Sequence, residues 1–461
     1  MNKNNKILLM KEGNITTSLF KLGIPMVVVM LVIALYNIVD AYFVSNLGTG
    51  TSQVGAVSIA FPISLIFSGV GLTFGTGGGS YISRLLGAKN NKKADQVATT
   101  ALFTSLIIGT ILVLVILIFL HPILLFMGAT ETILPYAKSY ATIFVISMFF
   151  STINVTTGNL VIAQGASTIT LASMLTGSIL NILLDPLLIY GFNMGVQGAA
   201  IATLISQIVT TCIYLWFFNS SKSYITIIPS NFTPTLEIYV QILKIGISML
   251  LLQLLSSLSM SLITKYSSEY GNDEAIAAIG IVLRVITLGS NVVFGFMKGF
   301  QPFAGFNYGA KNFIRLKKSI TSCIKLTTTF SIIWTIIMFI FAHPIISLFS
   351  SDPTVIRIGE KALRANAIMF FTFGFQFTFS TLYLAIGKAF CGGLLNICRQ
   401  GICFIPIILL FPKFLGLDGV IYSQAIADAI TTIVTLFFAL KIKHELNQLS
   451  REEPLAYSNV V

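Results

Sequence analysis

Three carboxylates fall inside long apolar runs of this sequence: Asp40, Asp185 and Asp428. The other acidic residues lie in polar stretches, near the ends of apolar runs or in the tails. A carboxylate near the middle of a lipid bilayer costs on the order of 3 kcal/mol, so an acid in such a run usually marks an ion, proton or substrate pathway. These three residues are therefore the first candidates for function.

Polar side chains accompany two of these acids at helical spacing. Tyr36 and Asn37 precede Asp40 by four and three positions, and Asn181 precedes Asp185 by four. Residues three or four apart lie on one face of a helix, so each acid ends a polar stripe. Both acids lie four or five residues from the same end of their apolar runs. We expect them at a common depth, although a solvated interfacial position remains an alternative for each.

Further polar groups are expected beside Asp185. Pro186 has no amide hydrogen, so it frees the carbonyl of Ile182 to accept from a side chain or water. Thr203 and Gln207 form another stripe on the next apolar run, and Tyr140 lies near the start of an earlier one. The sequence predicts one polar cluster from these residues.

Asp428 lies about ten residues into the twelfth apolar run, has no obvious partner and is a secondary candidate. Pairing with Arg284 or Lys265 is one interpretation, and lining of a cavity is the other.

The elements that must position these residues are membrane-spanning helices. The chain of 461 residues is 55% hydrophobic and 10% charged, whereas soluble domains carry roughly 25% charge. Apolar runs of about 20 residues predict helices, because a helix needs that length to cross the hydrocarbon core. Continuous runs also argue against a β-barrel, whose strands alternate over about 10 residues. The twelve predicted spans are 20–44, 54–78, 98–120, 138–158, 168–190, 196–218, 244–264, 275–297, 320–341, 364–386, 394–411 and 419–440.

The net charge of +12 is distributed in a way that indicates orientation and does not indicate nucleic-acid binding. Lysine and arginine concentrate before the first span, after spans two and eight, and after the last span. With twelve spans these segments share one side, which the positive-inside rule places in the cytoplasm together with both termini. We expect a multi-pass protein of the bacterial cell membrane. The basic residues that disagree with this orientation are Lys265, Arg357, Lys361, Arg364 and Lys413.

The sequence also repeats itself at a fixed interval. His121-Pro122-Ile123 recurs as His343-Pro344-Ile345, and Gly87-Ala-Lys-Asn90 recurs as Gly309-Ala-Lys-Asn312, each 222 residues later. Matching blocks in the same order predict two six-helix halves of equal orientation, an architecture of transporters with a cavity between the halves. The predicted domains are a cytoplasmic segment 1–19, lobes 20–218 and 244–440, a linker 219–243 and a cytoplasmic tail 441–461.

Other kinds of site find little support. The five cysteines and three histidines lack zinc-ligand spacing, and no cofactor other than a coupling ion is expected. No clustered acids or paired His/Asp site of a membrane enzyme is present, so we do not expect an enzyme. The run Gly71, Gly75, Gly77, Gly78, Gly79 lacks the Gly-Lys-Ser/Thr of a phosphate loop and predicts close helix packing.

The chain resembles the multidrug and toxin extrusion (MATE) transporters. The resemblance is carried by Pro25-Met26 and Tyr36-Asn37-Ile-Val-Asp40 on span one, by Asn181-Ile-Leu-Leu-Asp185-Pro186 on span five, and by Gly195-Val-Gln-Gly198 before span six. It implies a twelve-helix, two-lobe exporter of lipophilic, often cationic drugs, driven by entry of H⁺ or Na⁺ and working as a monomer.

The resemblance also implies roles for single residues. Asp40 and Asp185 would be the titrating pair, with Asn181, Tyr140 and Thr203 around them and Pro25 as a bend in span one. The second half departs from the sodium-coupled branch, because spans seven and ten lack clear acids. A lipid-linked oligosaccharide flippase of related architecture stays open as the alternative. It would need a cationic cavity for pyrophosphate, for which Arg284 and Lys298 are the intramembrane candidates.

Overall fold

The structure is a computed structural model that describes the backbone of residues 3–45 and 51–458 and the side chains of residues 7–36, 39, 43 and 55–451. The first half forms helices α1 Lys3–Lys11, α2 Ile15–Ser45, α3 Thr51–Gly87, α4 Asn91–Ile118, α5 Leu120–Phe126, α6 Leu134–Ala163, α7 Ser167–Pro186 and α8 Gly195–Asn219. The second half forms α9 Leu236–Gly309, α10 Phe313–Ile340, α11 Ala342–Ser347, α12 Pro353–Phe370, α13 Phe373–Ala385, α14 Ala389–Ile397, α15 Phe404–Leu415 and α16 Leu417–Ser458.

The structure confirms the twelve predicted spans when the bent pair α12 and α13 is counted as one span and the long helix α9 as two. Ten segments of the described chain are long and apolar enough to cross a membrane, and the pair α12 and α13, bent by 51°, adds an eleventh. Helix α9 has 74 residues, about 110 Å at 1.5 Å per residue, which is far longer than a bilayer is thick. Asn272 breaks it with φ 58° and ψ −162°, so α9 is two spans.

Backbone details recur at the interval of the sequence repeat. Lys89 and Lys311 both have φ 58°. The asparagine after each caps the next helix: Asn90 Oδ1 accepts from the Lys93 amide at 3.2 Å, and Asn312 Oδ1 accepts from the Arg315 amide at 3.0 Å. Asparagine at this position satisfies an amide that has no acceptor within its helix. The short helices α5 and α11, which carry the two His-Pro-Ile blocks, also recur at this interval.

Two compact units are defined by packing. One contains Met1–Leu9 and Val28–Gly246, and the other contains Met10–Val27 and Ile247–Val461. The division inside α2 falls two residues after Pro25. The domain boundaries given above follow the repeat instead of the packing, and they stay a prediction.

Within the first unit, the glycine run packs helix against helix as predicted. A Cβ built at Gly75 would lie 3.0 Å from the Thr156 Cα and the Val155 carbonyl oxygen, and one at Gly79 would lie 3.0 Å from the Asn159 carbonyl oxygen. Glycines four apart thus let α3 touch the backbone of α6. This contact places the middle of α6, which carries Asn154, against its neighbours.

Candidate functional site

The centre of the candidate site is Asp185, which is fully buried near the end of α7. With its amide nitrogen facing the carboxylate, Asn181 donates from Nδ2 to Asp185 Oδ2 at 3.0 Å. Its Oδ1 then accepts from the backbone amide of Thr203 on α8 at 3.2 Å. This amide orientation satisfies both groups, whereas the opposite one sets oxygen against oxygen. The predicted cluster of Asp185, Asn181 and Thr203 is therefore assembled across two helices.

Irregular backbone and a glycine hold α7 and α8 in this register. After Pro186 the helix widens into a π-helical turn over Leu187–Gly191. Such turns change the direction of side chains and are frequent at functional sites. A Cβ at Gly198 would lie 2.8 Å from the Leu188 carbonyl carbon and 2.9 Å from the Ile189 nitrogen. The start of α8 is thus pressed against the turn that follows Asp185.

A second polar layer lies one turn further along α8. Asn154 of α6 donates from Nδ2 to the Gln207 side-chain oxygen at 2.7 Å and to the Gln207 carbonyl at 2.9 Å. The Thr211 hydroxyl donates to Asn154 Oδ1 at 2.8 Å. Sequence reasoning singled out Gln207 and missed Asn154, although an amide inside an apolar run must find partners of this kind.

The remaining predicted residues are placed as follows. Tyr140 is buried in an apolar cluster that includes Ala200 of α8, and its ring stacks on Phe144 with centroids 5.1 Å apart. Tyr36 is half-buried in α2, and Pro25 is buried in the same helix, which runs unbroken from Ile15 to Ser45.

Asn37 and Asp40 belong to α2 by their backbone, but their side chains lie outside the described residues. Their part in the cluster is therefore a prediction.

Asp428 has a partner that the sequence did not suggest. On α16 it meets Arg399, with Arg399 Nε 2.9 Å from Asp428 Oδ1, and Nη2 donating to Oδ2 at 3.2 Å. Both residues are buried. The expected partners Arg284 and Lys265 were wrong: Arg399 occupies both carboxylate oxygens, Arg284 is exposed, and the Lys265 ammonium lies over the Tyr266 ring. The clue was an arginine inside the predicted eleventh span, which had to be neutralised.

Arg399 is fixed on several sides. It belongs to the π-helical turn Cys398–Ile402, and its guanidinium lies 4.6 Å from the centroid of the Phe373 ring. Gln424 donates to Asp428 Oδ1 at 2.9 Å, and Gln376 donates to the Asp428 carbonyl at 3.0 Å. The buried charges of Arg399 and Asp428 thus balance each other, and both side chains are held in position.

Equivalent positions of the two units carry different polar groups. Gln376 lies 222 residues after Asn154, and Asp428 lies 221 after Gln207. In each half a side-chain amide from the fourth predicted span donates to the backbone carbonyl at the equivalent position of the last span. The first unit leaves this layer neutral, and the second fills it with an ion pair.

The fold and these buried polar groups define a multi-pass helical membrane protein of transporter architecture. The MatE family model matches residues 25–187 and again residues 245–410. The chain therefore belongs to the MatE family of multidrug and toxin extrusion transporters, and the double match confirms the repeat.

Individual relatives agree over nearly the whole length. The multidrug export protein MepA of Staphylococcus saprophyticus is 28% identical over 444 residues, covering 96% of this chain and 98% of that protein. A multidrug resistance MATE transporter of the MOP superfamily, solved in an outward-facing conformation, superposes with a TM-score of 0.88 at 27% identity, covering 98% of this chain and all of the other. A MATE crystal structure in the bent conformation gives 0.88 at 27% identity, covering 98% and 99%.

Proposed function

We propose that this transporter exports lipophilic, often cationic small molecules by alternating access, in exchange for H⁺ or Na⁺ entering the cell. The coupling site is the cluster of Asp185, Asn181 and Thr203, together with Asp40 and its stripe neighbours Tyr36 and Asn37. No other cofactor takes part.

The observation that carries this proposal is the burial of Asp185. A carboxylate shielded from solvent within a membrane span is expensive, and such groups are retained where ions or protons bind. The Asn181 amide, fixed by the Thr203 backbone, holds a donor toward the carboxylate and orients it. A carboxylate that can be protonated or can hold a cation in this setting provides the chemistry of coupling.

Competition for the same carboxylates would link the two fluxes. Two neighbouring carboxylates in a low-dielectric setting do not both stay ionised readily, so a proton or a cation is favoured there. Entry of the coupling ion would displace a cationic drug, and a drug arriving from the cytoplasm would displace the ion. Exchange of one monovalent ion for one monovalent drug moves no net charge.

The Arg399–Asp428 pair serves a structural role in this proposal. The Asp428 carboxylate is already paired with the Arg399 cation, and both of its oxygens accept hydrogen bonds that fix its position. Protonation of Asp428 would leave a buried arginine uncompensated, which is strongly unfavourable. Asp428 is therefore a poor carrier of the coupling ion.

The distribution of basic residues supports a cytoplasmic location of both termini in this proposal. Two of the residues that argued against this orientation have carboxylate partners: Lys361 Nζ lies 2.6 Å from Asp418 Oδ1, and Arg364 Nη2 lies 2.8 Å from Glu360 Oε1. Because the rule counts lysine and arginine and gives acids little weight, these two residues stay a minority against the orientation that most basic residues favour.

Reconstitution into liposomes with imposed gradients tests the proposal. Ethidium efflux should follow a pH gradient or a sodium gradient, and the ion that drives it identifies the coupling ion. For an exchange of one ion for one drug, a potassium diffusion potential alone should drive nothing, because no net charge moves. Protein-free liposomes give the background leak. Ethidium movement that ignores both ion gradients would contradict the proposal.

A further inference from the structure

The second unit contains a basic cavity, and none of its lining residues belongs to the proposed coupling site. It has a volume of about 490 Å³ and is lined by residues from the start of α2 and from the first half of α10. Its lining residues are Asn14, Ile15, Thr16, Lys317, Lys318, Thr321, Ser322 and Lys325. Three lysines and no acid in this set give a local charge of +3, which calls for an anionic occupant.

Two of the three lysines are available to contact a ligand. Lys317 donates to Asn447 Oδ1 at 3.1 Å and to Ser450 Oγ at 2.8 Å, so it is held against α16. Lys318 and Lys325 have no hydrogen bond or ion pair within the part of the chain that the structure describes. They lie seven residues apart, two turns along one face of α10, with Ser322 between them.

The cavity is shaped before any ligand arrives. Arg315 donates from Nε to the Met10 carbonyl at 2.9 Å and from Nη2 to the Gly13 carbonyl at 2.5 Å. This clamp fixes the chain leading into α2, where Asn14 Oδ1 accepts from the Thr17 amide at 3.2 Å. The preceding amides of the first turn have no acceptor within the helix and add positive potential on this side of the cavity.

The face of α10 that carries the lysines continues into exposed apolar side chains. Continuing from Lys318 and Lys325 at helical spacing, the same face carries Ile332, Ile336 and Ile340, which are 43%, 50% and 62% exposed. Ile340 is about 22 Å beyond Lys325 at 1.5 Å per residue. A headgroup at the lysines would therefore lay its acyl chain along exposed isoleucines, which distinguishes a lipid from a soluble anion.

The repeat supplies an internal comparison. The positions 222 residues before Lys317, Lys318, Ser322 and Lys325 are Asp95, Gln96, Thr100 and Phe103 of the first unit, and none is basic. The chain itself covers them: the Thr226 amide donates to Asp95 Oδ1 at 2.8 Å, the Thr233 amide donates to Thr100 Oγ1 at 3.1 Å, and the ring of Phe103 lies 5.8 Å from that of residue 232. The second unit replaces a covered groove with an open basic one.

We propose that this cavity binds the phosphate headgroup of an anionic phospholipid, with Lys318 and Lys325 contacting the headgroup and the isoleucine face of α10 contacting the acyl chain. Basic pockets at the edge of membrane spans are suited to such headgroups. The site is independent of drug coupling.

Native mass spectrometry of the purified full chain tests the site. The delipidated protein is titrated with dioleoylphosphatidylglycerol or dioleoylphosphatidylcholine. Lys318→Gln/Lys325→Gln should weaken binding of the anionic phosphatidylglycerol about thirtyfold, since each lysine near anionic lipid contributes roughly a fivefold gain in affinity. Binding of phosphatidylcholine should not change. The control Lys441→Gln/Lys443→Gln removes the same charge from exposed positions of α16 and should bind normally.

Other arms identify the occupant. Lys318→Arg/Lys325→Arg keeps the charge and should retain binding. Equal affinity of all variants for the anionic lipid would overturn the proposal, as would full displacement of the lipid by millimolar inorganic phosphate, which would show a soluble anion as the ligand. Binding that arises only in a chain shortened to Arg451 would overturn it too, because the acidic tail would then be the occupant.

Discussion

Removing one charge of the Arg399–Asp428 pair should destabilise the second unit far more than removing a surface charge. Asp428→Asn keeps the size of the side chain and the oxygen that accepts from Gln424. It leaves the Arg399 guanidinium buried without a counter-charge. Breaking a buried pair in this way costs about 3–5 kcal/mol, because the remaining charge keeps its desolvation penalty.

Thermal unfolding of the purified protein in detergent measures the effect. A loss of this size should lower the melting temperature by roughly 10 °C. Asp418→Asn is the matched control, since Asp418 pairs with Lys361 at an exposed site and such pairs contribute about 0–1 kcal/mol.

Neutralising both partners should restore stability. Arg399→Gln combined with Asp428→Asn removes both buried charges, and neutral replacements of buried pairs are often harmless. The double variant should melt within a few degrees of the parent protein. If Asp428→Asn melts like Asp418→Asn, or if the double variant is no better than the single one, then the two charges are not coupled as described.

Three further outcomes follow from the packing and the orientation. Gly198→Ala drives a Cβ into the backbone after Pro186 and should cost about 1–3 kcal/mol in the same assay, whereas Gly280→Ala meets open space and should be neutral or slightly stabilising; equal effects would contradict the close approach. In a variant without the native cysteines, Thr130→Cys should react with an impermeant maleimide in intact cells and Lys92→Cys should not, and the reverse pattern would invert the topology. For a one-to-one exchange of H⁺ and a monovalent drug, collapsing the membrane potential with valinomycin and potassium should leave proton-driven efflux unchanged, whereas a clear loss would indicate net charge movement.

Local patterns in the sequence were enough for much of the fold. Apolar runs of helical length gave the twelve spans, and the 222-residue interval gave the two halves. The stripe of Asn181 and Asp185, with Thr203 on the next span, predicted the cluster that the structure assembles across α7 and α8. These features depend on spacing along one helix or between adjacent helices, which sequence periodicity reports directly.

The features that were missed depend on contacts between distant positions. Arg399 reaches Asp428 from 29 residues away, through a π-helical turn that changes the direction of its side chain. Asn154 meets Gln207 across 53 residues. Periodicity identifies a buried polar residue but does not name its partner, because the partner depends on how the packed helices are rotated against each other.

The most direct test of the coupling site is proton-driven drug transport by carboxylate variants in proteoliposomes. A pH gradient of one unit supplies about 1.4 kcal/mol, enough for a roughly tenfold ethidium gradient in a one-to-one exchange. The parent protein should reach that gradient, as should the neutral double variant Arg399→Gln/Asp428→Asn. Asp185→Asn and Asp40→Asn, assayed at equal protein content, should reach none if H⁺ is the coupling ion; with Na⁺, the same comparison is made under a sodium gradient. A tenfold gradient built by both the Asp185 and the Asp40 variants would contradict the assignment of coupling to these acids.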